Sequence, residues 1–92
     1  MFAIQNIKTG DFVYGTDFRY SPPHQRTSNR QMLTFPTLYS ACNAFLARRC
    51  GKDYRIVCLK TVQVKAVYSA PKTMDDAWDL EVIRIGLENN QK

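Results

Sequence analysis

Between Pro36 and Lys52 the chain carries the start, the body and the stop of one helix, and the stretches on either side of it favour strands. Thr37 stands where an N-cap belongs, because its hydroxyl can accept from a free backbone N–H of the first turn. Leu38, Ala41, Cys42 and Phe45 recur at helical spacing and make one apolar stripe. Arg48 and Arg49 fall where a last turn would be, and cations there oppose the negative end of the helix dipole. Gly51 is placed to take the left-handed conformation that closes a helix. The spacing therefore predicts a helix over 37–50.

Upstream, Phe2, Ile4 and Ile7 alternate with polar residues, Thr9-Gly10-Asp11 supplies a turn, and Phe12-Val13-Tyr14 resumes the β-favouring pattern. That is a β-hairpin, with Gly15 closing its second strand. Gln31-Met32-Leu33-Thr34-Phe35 reads as a third strand, ended by Pro36. Downstream, Tyr54, Ile56 and Cys58 form one alternating set, and Val62, Val64, Ala66 and Tyr68 another. Tyr54 to Ala70 is thus one long bent strand, or two strands meeting near Lys60-Thr61, with Pro71 as its end.

The last segment opens with Thr73, Asp75 and Asp76, a good helix start because carboxylates there favour the dipole. As a helix it puts Met74, Trp78, Val82 and Ile85 on one face and Leu80, Ile83 and Leu87 on a second stripe. The second stripe is the expected homodimer interface. The β-branched run Leu80–Leu87 leaves a strand as the alternative over 79–88; the cap and the acidic first turn favour the helix. Taken in order, the elements predict a single α+β domain over 1–92: an antiparallel sheet of four to five strands with one or two helices packed on one face.

Ninety-two residues, 45% hydrophobic and 23% charged, have globular composition, and the length makes one domain. The charge of +5 is unevenly spread: residues 1–72 carry eleven Lys/Arg against three Asp/Glu, hence +8, and residues 73–92 two against five, hence −3. A field of the first sign attracts nucleic acid or an acidic protein. No run approaches the roughly 20 apolar residues of a membrane span, and Met1–Thr9 lacks the apolar core of a signal peptide. A cytoplasmic protein is expected. Cys42, Cys50 and Cys58 are odd in number and sit in apolar patterns, which favours buried free thiols. Zinc would call for close pairs such as C-x-x-C, and there are none, so neither metal nor cofactor is expected.

The most distinctive surface feature is Phe18 to Arg30, FRYSPPHQRTSNR, with three arginines, the only histidine, two adjacent prolines and no acid. Its apolar residues follow no strand or helix period, so it is expected to be a loop-like basic arm. Arg19, Arg26, Arg30, Arg48, Arg49, Lys52 and Arg55 are the candidate phosphate contacts, and Tyr20 and His24 the candidate rings for stacking on unpaired bases. Catalysis is not expected, because a lone histidine has no evident partner. The functional expectation is a non-enzymatic RNA-binding protein, its partner RNA or an RNA-bound host protein. The alternatives are an inhibitor that plugs an acidic protein surface and a small ribonuclease using His24 with Arg26 or Tyr20.

FAIQNIKTGDFVYGTDFRY, TFPTLYSACNAF and KDYRIVCLK, taken together, resemble the small early proteins of large T-even-like tailed phages. Those often begin with a hairpin, carry a T-x-x-x-A helix start, here Thr37 to Ala41, and end in a D-Y-x-I-V strand, here Asp53 to Val57. The resemblance covers roughly residues 1–60. It implies an accessory factor that counters a host defence, such as an RNA-binding antagonist of a toxin ribonuclease. It carries over no functional residue.

Overall fold

The structure, a computed structural model of the chain, describes residues 1–60, 63–68 and 70–75. Its elements run β1 (Phe2–Asn6), β2 (Phe12–Asp17), β3 (His24–Ser28), α1 (Leu38–Ala47), β4 (Tyr54–Lys60) and β5 (Gln63–Tyr68). The five strands make one sheet in the spatial order β3-β2-β1-β4-β5, with every neighbouring pair antiparallel. The fold is α+β as expected, with α1 lying across β1 and β4.

The core follows from which residues share a face. Phe2 and Ile4 of the central strand β1 meet Val13, Ile56 and the α1 stripe Leu38, Ala41, Cys42 and Phe45, all buried. These four helix residues are the ones the spacing picked out. On the other face Ala3, Val57 and Leu59 are buried, with Phe12 and Met32 packed against them. Gln5 also lies on that face and is buried, but its amide is satisfied at both ends. Its Nε2 donates to the Gly10 carbonyl at 3.0 Å, and its Oε1 accepts from Arg55 Nε at 3.0 Å. A buried amide without such partners would cost more than the bonds contribute.

The β1–β2 turn closes on Asn6, whose Oδ1 accepts from the Lys8 and Thr9 amides, and Gly10 takes the positive φ of 79° that the turn needs. The start of α1 is a reciprocal cap: Ser40 N donates to Thr37 Oγ1 at 3.0 Å, and Thr37 N donates to Ser40 Oγ at 3.2 Å. Tyr54–Ala70 resolves into the two-strand alternative, β4 and β5, with Lys65 the extra residue of a bulge where the register passes from Cys58↔Ala66 to Leu59↔Val64. Cys42, Cys50 and Cys58 are free thiols, the first two buried.

Four expectations are corrected. The stretch 18–30 is not a loop throughout, because His24–Ser28 forms an edge strand on β2. Its alternation is carried by polar side chains, which a hydrophobic period cannot register. Gly15 does not close β2, which runs on to Asp17 through a bulge between Val13 and Gly15. Gln31–Phe35 is not a strand: Phe35 exchanges both backbone bonds with Phe2, and Leu33 N donates to the Val13 carbonyl, so the segment stitches β1 to β2. Lastly, α1 ends at Ala47, with Arg48 as its C-cap, so neither arginine lies in the last turn. The left-handed residue that follows is Arg49, at φ 54°, while Gly51 has its own positive φ of 77° in the turn into β4. The helix-or-strand question over 79–88, and the stripe of Leu80, Ile83 and Leu87, fall outside the described residues.

Candidate nucleic-acid interface

Register fixes what the β2–β3 hairpin presents. Asp17 pairs with His24 and Gly15 with Arg26, so the side chains of Asp17, His24 and Arg26 project from the face away from α1; Thr16 pairs with Gln25 on the α1 face. The connection between the two strands, residues 18–23, contains a cis Ser21–Pro22 peptide and leaves Phe18 and Tyr20 exposed.

At this tip Tyr20 and His24 lie ring on ring, centroids 3.8 Å apart and planes within 2°. Beside them Arg19 forks onto Asp17, with Nε to Oδ1 at 2.9 Å and Nη2 to Oδ2 at 2.7 Å, while its backbone N–H donates to Oδ1 at 3.0 Å. Arg26 approaches the same carboxylate from the neighbouring strand, at 3.7 Å, its stem lying over Gly15. The Arg19 side chain and amide bonds, helped by Arg26, hold the Asp17 carboxyl down at about 2. The Asp17 side chain is only 11% exposed, whereas those of Arg19 and Arg26 are 77% and 56% exposed. The carboxylate therefore lies beneath the guanidiniums, and what faces outward is cationic and aromatic.

The remaining candidates are spread out. Arg30 is exposed in the bend that follows β3, where its backbone N–H donates to Ser28 Oγ at 3.0 Å. Arg55 lies on the same face of the sheet but across β2 and β1, engaged with Gln5. Arg48 belongs to the opposite face. Its Nη1 donates to Thr16 Oγ1 at 2.8 Å, Thr16 Oγ1 donates to Gln25 Oε1 at 2.7 Å, and Gln25 Nε2 donates back to the Arg48 carbonyl at 2.7 Å. That closed ring of bonds fastens the end of α1 to the hairpin. Arg49 and Lys52 are exposed past the end of α1. The nine cationic and ring residues thus divide into a tip group (Arg19, Tyr20, His24, Arg26), an α1-end group (Arg48, Arg49, Lys52) and two outliers.

Comparison with protein-family models, curated proteins and solved structures gives no match. The reading therefore rests on the residues. Sequence reasoning passed over Asp17, Thr16 and Gln25. An Asp at a strand end two residues before an Arg, with a turn following, is the signal for Asp17, since such a side chain accepts from the amide two residues on. Nothing local marks Thr16 and Gln25, whose partner is 32 and 23 residues away. Among the described residues no three His, Cys, Asp or Glu side chains gather as a metal site would require, and no helix is long and apolar enough to cross a membrane.

Proposed function

We propose that the chain is a non-enzymatic, cytoplasmic accessory protein that binds single-stranded RNA, free or carried by a host factor, at the tip of the β2–β3 hairpin. What supports the reading is the exposed Tyr20–His24 stack flanked by Arg19 and Arg26. A ring pair at base-stacking distance offers an outer face on which an unpaired base continues the stack, and guanidiniums beside it meet the adjoining phosphates. Arg30, exposed in the bend after the edge strand, is the proposed further phosphate contact. Arg48 in this reading positions the hairpin and does not touch RNA.

The phage-like layout of residues 1–60 adds the proposed setting: disarming a host toxin or defence ribonuclease through the RNA it holds. Homodimerisation through Leu80, Ile83 and Leu87 completes the proposal, and rests on sequence periodicity alone.

Fluorescence anisotropy with a labelled, unstructured RNA oligonucleotide tests it. Wild type is expected to bind saturably at low salt, and Tyr20→Ala to weaken binding by about 1–3 kcal/mol, the usual worth of one base–aromatic stack. Undiminished binding by Tyr20→Ala would remove the stack from the proposal. Capture of one host protein from lysate that persists after nuclease and high salt would replace RNA with an acidic protein surface.

A further inference from the structure

Away from the hairpin tip, between the C-terminal end of α1 and residues 70–72, lies a cavity of about 310 Å³. That is the lower end of the size range of small-molecule sites. Its walls are almost wholly apolar, formed by Phe45, Leu46 and Pro71, and its described lining includes three cations, Arg49, Lys52 and Lys72, with no acidic residue. Cys50 also lines it, and burial pushes that thiol up to about 12, so the wall it forms is neutral at physiological pH.

Arg49 supplies an independent observation. It occupies the left-handed position after the helix C-cap, φ 54°, where a β-carbon is unfavourable and glycine is the usual occupant. The chain accepts that strain and places an arginine in the lining of the cavity. Neither Arg49 nor Lys52 has an ion-pair partner among the described residues.

We propose that this cavity is a binding site for a small amphipathic carboxylate, its apolar body seated against Phe45, Leu46 and Pro71 and its anionic head held at Arg49 and Lys52. An apolar wall with Arg49 and Lys52 in its described lining discriminates by charge as well as by shape: a cation of equal chain length meets the same walls and is repelled by those two residues. The inference is independent of RNA binding, since the hairpin tip faces the other side of the sheet.

Decanoate is a suitable probe, followed by backbone amide chemical shifts of the full chain, with decyltrimethylammonium as the charge-reversed control. Saturable shifts centred on Leu46–Lys52 and on Ala70 and Lys72 are expected with decanoate, and no saturable response with the cation. Arg49→Gly separates structure from binding, because it relieves the backbone strain while removing the charge. It is expected to raise Tm yet weaken decanoate about tenfold, and Lys52→Gln to weaken it without altering Tm. Absence of saturable shifts, an equal response to the cation, or unchanged affinity in both variants would overturn the site.

Discussion

Asp17 shows how one residue sets the character of the hairpin tip. Its ionised form is favoured in the folded chain, since its carboxyl sits at about 2 against an ordinary 3.8. The stability this contributes is fully present above about 3.8 and is lost as pH falls through about 2. Asp17→Asn removes that dependence. The gap in Tm between wild type and variant is therefore expected to close as thermal melts are taken from pH 4 down to pH 2. The same substitution releases Arg19 from its fork, so RNA affinity should rise a few-fold at neutral pH; a fall would mean that Asp17 is needed to aim Arg19 and not merely to neutralise it. The residue scale also explains why charge counting along the sequence overstated the arm. Two of its three guanidiniums meet one internal carboxylate, Arg19 in a close fork at 2.7 Å and Arg26 at 3.7 Å from Asp17.

Among the elements, α1 was the most legible and β3 the least. The helix announced itself through Thr37 and a stripe of four residues, because its signals are local and its burial is apolar. Thr37→Ala is expected to cost about 1 kcal/mol, read from denaturant unfolding, because it removes the hydroxyl that accepts from the Ser40 amide while the residue 37 amide still reaches Ser40 Oγ. Its end was misplaced because the position after the cap is filled by Arg49, where a glycine rule looks for Gly. Strand β3 was hidden for a different reason: an edge strand of HQRTS buries little, and is held by backbone bonds to β2 and by Gln25 reaching the Arg48 carbonyl. Likewise the strand pattern of Gln31–Phe35 was real, but among the described residues its bonds to other backbone go only to Phe2 and Val13, while Gln31 N–H donates to Ser28 Oγ. Gln25→Ala opens the ring that joins hairpin to helix. Hydrogen exchange should then accelerate in β3 by about the loss of one bond, roughly 1 kcal/mol, while amides of β1 and β4 keep their protection. Uniform acceleration across the sheet would mean that the hairpin is not an independently opening unit.

For the whole molecule, the sheet separates two surfaces of different chemistry. One carries the ring pair and arginines of the hairpin tip; the other carries α1 and the cation-lined cavity at its end. The separation was not legible in the sequence, because strand register decides that Arg26 and Arg48 stand on opposite faces although both flank the same hairpin. Oligomeric state belongs to this scale as well. Ile83→Asp is expected to give a folded monomer, with a correspondingly lower sedimentation coefficient than wild type. The most direct measurement is the salt dependence of RNA binding for wild type and for Arg26→Ala with Arg30→Ala. If the hairpin edge tracks the phosphates, the double variant should bind more weakly, with a log–log salt slope shallower by about 1.4, two single-strand phosphate contacts' worth, and an unchanged melting temperature. Equal affinity and equal slope in the two proteins would place RNA elsewhere, or nowhere, on this molecule.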